Sequence, residues 1–395
     1  MDYLLYFFSE ITRKISNYIL KAVVYILFGR FEIDGVNHIC VYRTANIGDM
    51  IVAVPAMREI RAHFPHAKIT VLTDPGKLSR IGIKDVLANQ GLYEDVVDYS
   101  EYKDGGKWTA KTLKNFIKGE RRKKYDCFIQ LPYARVSLWA NLKHIFYAKI
   151  IGAKKATGFY MNTVECFPQA QVKFRKYTNQ AESLFENLPW KPKGKPEFGF
   201  VFSDEIKENV YNKLPVFCDR DSQPILAVSF FGKKGPKLYP ISNFCVLIKK
   251  WIKEFGGTVV LMGGKDQFDA AEEIRRHFEV DHVINAAGMF SIQESMFMLK
   301  KSNLLLSVDT GTAHMAAAVD TWLIEIFSAY NYPGLWVAYG DKVEVIRHDL
   351  KCSPCLKDSC VYDDEYAPCM RAIAVDEVWT KMKEIGLKII KEEKN

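Results

Sequence analysis

The chain lacks the short motifs that mark several common classes of protein. No Gly-x-Gly-x-x-Gly follows the first predicted strand, which disfavours a dinucleotide-dependent oxidoreductase, and no Gly-x-x-x-x-Gly-Lys-Ser/Thr occurs, which argues against a P-loop kinase. The zinc-finger spacing, the aromatic–basic ribonucleoprotein motif and the arginine-rich arm of nucleic-acid-binding modules are also missing. No uninterrupted apolar run approaches the ~20 residues that cross a bilayer. We therefore expect neither nucleic acid as a partner nor a membrane span.

The composition is that of a folded protein with more than one core. The chain has 395 residues, of which 48% are hydrophobic and 13% aromatic. This length suits two domains of about 150–200 residues each. The net charge of +8 favours anionic partners. We expect an anionic small substrate or a lipid surface.

Cysteine is unevenly used. Five of the nine cysteines are scattered in mostly apolar contexts, and no cleavable signal sequence is evident, so we expect reduced thiols and a cytoplasmic location. The other four lie close together near the C-terminus: Cys352, Cys355, Cys360 and Cys369. Their leading Cys-x-x-Cys is typical of a structural zinc site. Unligated thiols are an equally good interpretation, two disulfides are a weaker one, and a catalytic metal is the least favoured.

Residues 1–30 are predicted to form an amphipathic helix. One helical face carries aliphatic and aromatic side chains, and the opposite face carries charged and polar ones. The apolar face comprises Leu4, Phe8, Ile11, Ile15, Ile19, Ala22, Val23 and Ile26, and the polar face comprises Glu10, Arg13, Lys14, Asn17 and Lys21. Two interpretations remain open: a helix docked on the first domain, and an anchor in the membrane interface through residues 1–28.

From about residue 36 strands and helices alternate, first up to a linker rich in Pro, Lys and Gly at 188–196, and again beyond it. The pattern predicts two α/β domains, 31–195 and 196–395, each with a doubly wound parallel sheet. Ligands of such sheets bind outside the carboxyl ends of the strands.

Two loops follow predicted strands in the same strand–turn–helix setting. Asp309-Thr-Gly-Thr-Ala-His314 opens a helix whose first N–H groups are free to bind a phosphate. Thr44-Ala-Asn-Ile-Gly-Asp49 presents a carboxylate instead. An anion site and a carboxylate together indicate group transfer.

Arg43-Thr-Ala-Asn-Ile-Gly-Asp-Met-Ile-Val-Ala-Val-Pro-Ala56, Lys237-Leu-Tyr-Pro240 and Asp309-Thr-Gly-Thr-Ala-His314 resemble motifs of the bacterial heptosyltransferases, glycosyltransferase family 9. The resemblance covers roughly residues 37–385. It implies the GT-B fold, in which two Rossmann-like domains face each other across a cleft. It also implies transfer of heptose from ADP-heptose to the lipopolysaccharide core, with inversion and without a catalytic metal, at the inner face of the cytoplasmic membrane.

The resemblance implies roles for individual residues. Asp49 is the general base, although an Asp at this position also caps the following helix. Lys237 stabilises the departing diphosphate, and its Lys-x-Trp-Pro motif has Tyr239 in place of Trp. The other residues expected around the donor are Gly232, Gly263, Asp309, Thr310, Gly311, Thr312 and His314. Of these, Asp309 is expected to brace its turn rather than to touch the donor.

One departure from the family leaves the donor open. Relatives have a Gly-x-Glu that contacts the ribose, and here Lys265 occupies the position of the Glu. A lysine cannot accept hydrogen bonds from ribose hydroxyls. Either Asp266 replaces the Glu, or the nucleotide or sugar differs from ADP-heptose.

The acceptor is expected on the first domain, where an anionic glycolipid would require cationic contacts. Candidates are Arg43, Asn46, Arg58 and Arg61, although the last two arginines also suit a solvated helix face. The sequence therefore predicts an inverting glycosyltransferase. The alternatives are a transferase for another nucleotide-activated sugar, and a nucleotide-sugar-binding protein of envelope assembly that has no turnover.

Overall fold

The computed structural model describes residues 1–32, 34–44, 46–74, 82–218, 224–231, 235–278, 282–362 and 365–393. The chain divides into two compact units, Met1–Phe198 and Gly199–Asn395. Each unit is built around one parallel β-sheet flanked by helices.

The first unit contains a five-stranded sheet in the order β3-β2-β1-β4-β5. All four strand pairs are parallel. The strands are β1 (His38–Tyr42), β2 (Lys68–Thr73), β3 (Asp95–Asp98), β4 (Cys127–Gln130) and β5 (Lys155–Thr157). The helices are α1 (Asp2–Phe28), α2 (Ile47–Ile51), α3 (Val54–His63), α4 (Ile83–Val86), α5 (Ala110–Lys123), α6 (Leu138–Ile150), α7 (Pro168–Phe174) and α8 (Gln180–Glu186).

The second unit contains a six-stranded parallel sheet in the order β11-β10-β9-β6-β7-β8. Its strands are β6 (Ile225–Ser229), β7 (Thr258–Leu261), β8 (Val283–Asn285), β9 (Leu304–Val308), β10 (Trp322–Ile326) and β11 (Val343–Ile346). Its helices are α9 (Asp204–Lys213), α10 (Ile241–Phe255), α11 (Phe268–Arg275), α12 (Ile292–Lys301), α13 (Gly311–Ala318), α14 (Pro368–Arg371) and α15 (Val375–Glu393).

Each sheet has one point at which the strand order reverses. In the first unit the chain winds outward from β1 through β2 to β3, and then resumes on the other side of β1 with β4. In the second unit β6 and β9 are the corresponding neighbours. The crevice outside the carboxyl ends of two such strands is where doubly wound sheets bind ligands. The sheet topology therefore points to the loops that follow β1, β4, β6 and β9, and the prediction of two doubly wound parallel sheets is confirmed.

The N-terminal helix α1 docks on the first unit through polar contacts. Asn17 exchanges two hydrogen bonds with the backbone of Met161: its amide Nδ2 donates to the carbonyl at 3.1 Å, and its Oδ1 accepts from the N–H at 2.7 Å. The carboxylate of Glu10 pairs with Arg175 at 2.8 Å. Ser9 and Ser16 are buried. Leu20 and Phe28 are also buried in the hydrophobic core of the first unit, against which Val23, Val24 and Leu27 pack. Polar and apolar contacts together therefore hold the helix against the domain.

Part of the predicted apolar face of α1 points outward. Leu4, Phe8 and Ile15 are each more than half exposed. Their exposed stripe continues onto α7, where the ring of Phe174 lies 5.5 Å from that of Tyr3. None of the described helices is both long and apolar enough to cross a membrane. The structure therefore shows α1 docked on the first unit through polar and apolar side chains, whereas a contact of its exposed stripe with a membrane stays a prediction.

The turn between α10 and β7 generates a stability prediction. Gly257 has a φ of +82°, and a Cβ there would lie 2.0 Å from the carbonyl oxygen of Pro224. Gly35 has a similar φ of +72°, but a Cβ at that position would meet nothing within 4 Å, so it is a matched control. Both changes to Ala incur the positive-φ cost of about 1 kcal/mol. Gly257→Ala should lower the free energy of unfolding by roughly 1–3 kcal/mol more because of the clash. Urea denaturation followed by circular dichroism measures this, and equal losses for the two variants would contradict it.

Candidate functional site

Asp49 lies in the loop region that follows β1, at the reversal point of the first sheet. It is the third residue of α2, and its Oδ2 accepts a hydrogen bond from the backbone N–H of Asn46 at 3.3 Å. Asp49 therefore does cap the start of α2. The carboxylate is nevertheless still partly open to solvent, with 18% of its side chain exposed. A cap that keeps one side accessible can also serve as a base.

Arg43 contacts this carboxylate from the interior of the domain. Its guanidinium is fully buried and lies 3.5 Å from Oδ1 of Asp49. It also donates to the carbonyl of Asp49 at 2.7 Å and to that of Leu131, the residue after β4, at 3.0 Å. Burial lowers the pKa of Arg43, and the nearby carboxylate of Asp49 partly offsets this effect. Arg43 therefore ties the loop after β1 to the loop after β4.

The four residues predicted to bind the acceptor do not form one cluster. Arg43 is inaccessible, so it positions Asp49 instead of meeting a ligand. Arg61 donates to the carbonyl of Ala67 at 2.7 Å and pairs with Glu94 at 2.6 Å, and these two residues immediately precede β2 and β3. It therefore lies at the amino edge of the parallel sheet, opposite Asp49.

Arg58 is likewise committed within the first unit, where it donates to the carbonyl of Phe198. Asn46 is exposed at the start of α2, next to Asp49. Of the four predicted acceptor residues, only Asn46 both lies beside the Asp49 carboxylate and is open to solvent.

In the second unit an ion pair between a partly exposed lysine and a buried carboxylate joins the loops after β6 and β9. Nζ of Lys237 lies 2.7 Å from Oδ2 of Asp309. The ammonium also lies 5.3 Å from the centre of the Tyr330 ring. Burial acts to lower the pKa of Lys237, but the Asp309 carboxylate and Tyr330 outweigh it, so the net shift is upward. Lys237 is therefore a permanent cation at the reversal point of this sheet.

The loop after β9 leads directly into α13. Thr310 is its N-cap residue, in extended conformation, and Thr310, Gly311 and Thr312 are each partly exposed. No acidic side chain occupies the first turn of this helix. The first N–H groups and the positive end of the helix dipole are thus available beside a lysine, which is the arrangement that binds phosphates.

His314 lies within the first turn of α13 and is buried. Neither ring nitrogen has a hydrogen-bond partner among the described residues. Its ring meets that of Trp336 edge to face at 5.4 Å. Burial lowers the pKa of His314 to about 4; Asp309 opposes this shift, and the adjacent Lys237 adds to it. The imidazole is therefore neutral at pH 7, with two unused polar atoms.

Sequence reasoning missed Tyr330, Trp336 and Glu325 in this neighbourhood. Glu325 is a fully buried carboxyl in the middle of β10. The two aromatic residues belong to the segment after β10, in which no motif was recognised. A charged residue within an otherwise apolar strand, Trp322–Ile326, was the available signal for Glu325.

The other predicted donor residues lie on the same edge of the sheet. Gly263 and Lys265 follow β7, and Lys265 is exposed at the start of a short 3₁₀ helix, Lys265–Gln267. Gly232 lies outside the described residues. The side chain of Lys265 is free to meet a ligand anion, but not to replace a ribose-binding carboxylate.

The zinc site predicted at the C-terminal cysteines is not supported. Within the described ranges, no three His, Cys, Asp or Glu side chains are arranged to hold a metal ion. The pKa of Cys352 is raised first by burial and then by the nearby thiols of Cys355, Cys369 and Cys360. The four thiols therefore lie near one another. All four are free. Cys369 is buried in the hydrophobic core and Cys360 packs against it, so these two act as small apolar side chains.

Comparison with known proteins shows the family. Residues 115–365, more than half of the chain, match the model of glycosyltransferase family 9 (heptosyltransferase). The chain belongs to this family, and the resemblance described above is confirmed. Lipopolysaccharide heptosyltransferase 1 of Pseudomonas aeruginosa is 35% identical over 79 residues. That alignment spans only 20% of this chain and 20% of the relative.

Solved structures show the same GT-B fold. A family 9 glycosyl transferase from Veillonella parvula superposes with a TM-score of 0.68 at 15% identity, covering 91% of this chain and 99% of the other. The ADP-heptose lipopolysaccharide heptosyltransferase II of Escherichia coli gives a TM-score of 0.61 at 18% identity, with 89% and 99% covered. Escherichia coli heptosyltransferase WaaC with ADP-2-deoxy-2-fluoro heptose gives 0.59 at 16% identity, with 88% and 99% covered.

Proposed function

We propose that the protein is an inverting glycosyltransferase that moves heptose from ADP-heptose onto a lipopolysaccharide core or a similar anionic glycolipid. The observation that carries the proposal is the Lys237–Asp309 ion pair at the N-terminus of α13. Together with the first N–H groups of α13, Lys237 would supply the positive charge that a diphosphate leaving group needs. Membership of a heptosyltransferase family supports the sugar and the acceptor class.

Asp49 is the general base of the proposed reaction. Its carboxylate takes the proton of an acceptor hydroxyl while that oxygen forms a bond to the anomeric carbon. Arg43 keeps the carboxylate in place because its guanidinium contacts both the side chain and the backbone carbonyl of Asp49. Asn46, exposed at the start of α2, is positioned to contact the acceptor.

The bond from the anomeric carbon to the diphosphate oxygen breaks on the opposite face, which inverts the configuration. Its electron pair remains on the departing ADP. The new negative charge is stabilised by Lys237 and by the first N–H groups of α13, from Gly311 onward. In this scheme these groups supply the positive charge, and no catalytic metal is required.

The identity of the nucleotide is tested by ligand-induced stabilisation. A ligand that binds only the folded state stabilises it by about 2.7 kcal/mol at one hundred times its Kd. In thermal-shift measurements with ADP, UDP, GDP and CMP at equal concentrations, ADP should give the largest increase in Tm. A larger shift with another nucleotide would favour a different activated sugar, consistent with Lys265 at the position of the ribose-binding Glu.

Replacing the proposed base should abolish transfer without unfolding the protein. Asp49→Asn retains the shape and the cap on Asn46, but cannot accept the proton. We expect the transfer rate to fall by roughly 10²–10⁴ while ADP still binds.

Asp85→Asn is the matched control, because Asp85 also sits at the third position of a short helix of the first unit and accepts from the N–H of Gly82 at 2.8 Å. It should keep wild-type activity. If Asp49→Asn proved as active as this control, Asp49 would be a cap alone; if wild type bound nucleotide sugar but showed no turnover, the protein would be a binding protein.

The outward face of α1 is proposed to rest on the cytoplasmic face of the membrane, where the glycolipid acceptor lies. Its exposed aliphatic and aromatic side chains are accompanied by the exposed Lys14 and Lys21. Apolar and basic side chains on one helix surface match an anionic lipid interface. The helix would lie in the plane of the interface, since its opposite face is held by the first unit.

Vesicle co-sedimentation tests this contact. Three exposed side chains of α1 are tested: Leu4, Phe8 and Ile15. Each should contribute roughly 1.5–3 kcal/mol to membrane binding when it is withdrawn from water. Changing all three to Ser should reduce binding to phosphatidylcholine–phosphatidylglycerol vesicles at least about tenfold. The control changes three exposed apolar residues of the second unit to Ser: Val201, Val246 and Leu387. Equal binding by both triple variants would refute the contact, and loss of self-association instead would show that α1 pairs with a second copy.

A further inference from the structure

A carboxyl group in β10 has no role in the function described so far. Glu325 is fully buried. Its Oε2 accepts a hydrogen bond from the backbone N–H of Ala338 at 3.0 Å, whereas Oε1 has no partner among the described residues. A half-satisfied buried carboxyl is costly, and an apolar residue would pack there at less cost. Glu325 therefore calls for a functional explanation.

The sheet register places Glu325 beneath the loop that joins β9 to α13. It stands opposite Ser307 of β9, two residues before Asp309. Its neighbours Ile324 and Ile326 point into the hydrophobic core on one face of the sheet, so Glu325 points to the other face. That face is the one on which α13 packs, because α13 contacts β9 and β10 but contributes no residue to this core.

The groups that face Glu325 are the charged and polar members of the donor site. They are Asp309 after β9, Lys237 from the loop before α10, and the N–H of Ala338. His314 of α13 interacts with the same Asp309 and Lys237. Burial, and then the Asp309 carboxylate, raise the pKa of Glu325 well above its ordinary value, against the opposing effects of Ala338 and Lys237. The cluster therefore contains one ion pair, Lys237–Asp309, and two neutral groups, Glu325 and His314.

This arrangement matters when a diphosphate arrives at the N-terminus of α13. The phosphate oxygens compete with Asp309 for the ammonium of Lys237. A carboxylate that is only 1% exposed then loses its cation close to an incoming anion. A neutral acid beside it can supply a hydrogen bond in place of the lysine, without adding a further negative charge.

We propose that Glu325 is a positioning residue of the donor site, whose protonated carboxyl donates to Asp309 when Lys237 turns to the donor diphosphate. The inference rests on the proposed donor role of Lys237 and α13. It adds Glu325, which lies within β10, to the residues of that site. No bond to hydrogen is broken in this step, because the proton stays on Glu325.

The test measures the Kd of ADP by titration calorimetry as a function of pH, for wild type and two variants. Glu325→Gln keeps a donor and cannot ionise, so it should bind as wild type does at neutral pH. At alkaline pH wild type should weaken as Glu325 ionises next to Asp309, and Glu325→Gln should not. Glu325→Met fills similar space without a donor and should weaken binding at least about tenfold at neutral pH. Glu344→Gln, on the adjacent strand β11, is the control and should behave as wild type.

Stability provides a second measurement, which checks the protonation state. The unfolded chain ionises Glu325 above a pH of about 4.5 while the folded protein keeps the proton, so wild type loses stability as the pH rises. The Tm of Glu325→Gln should therefore exceed that of wild type, by a margin that grows from acidic to neutral pH.

The outcomes separate the two proposals. If wild type binds ADP and Glu325→Met binds it equally well, Glu325 has no positioning role although the donor site stands. If Glu325→Met does not fold, identical pH profiles for wild type and Glu325→Gln overturn the inference. If wild type binds no nucleotide at all, the donor site and the inference fail together.

Discussion

Parallel strand pairing is the constraint on which the rest of this structure depends. Because every described strand pair is parallel, the carboxyl ends of the strands in each sheet lie at one edge, and the connecting helices return to the other. The chain reverses its direction of winding once in each sheet, next to β1 and next to β6. Loops that are far apart in sequence meet there, as the contacts of Arg43 with Asp49 and Leu131, and of Lys237 with Asp309, demonstrate.

Both meeting points contain a cation paired with a carboxylate, but a different member of each pair is buried. In the first unit the cation is inaccessible and the carboxylate is the more exposed partner, which suits a base held in place by an arginine. In the second unit the lysine is the more exposed partner, at 21%, and the carboxylate is at 1%. The exposed member of each pair is the one able to meet substrate, and its buried partner fixes its position and charge.

The N-terminal helix illustrates a different balance. Ser9, Asn17 and Glu10 make hydrogen bonds and an ion pair with the rest of the first unit, and Leu20 and Phe28 pack in its core. An apolar stripe that includes Leu4, Phe8 and Ile15 is left exposed. Leaving this stripe exposed forgoes roughly 25 cal/mol for each Å² of apolar surface that could be removed from water. In the proposed membrane contact, a lipid interface would cover this exposed stripe.

The sequence by itself determined the alternation of strands and helices, the two parallel sheets, the family and the two loops that carry Asp49 and Asp309, because each of these follows from local periodicity or a contiguous motif. The tertiary structure alone decided which side chains of α1 are covered, that Arg43 is buried while Arg61 lies at the far edge of the sheet, and that Glu325 lies opposite Ser307, in the strand before the loop of Asp309. These depend on contacts between residues distant in the chain, and a side chain's accessibility and charge are set by what packs against it and not by its sequence neighbours.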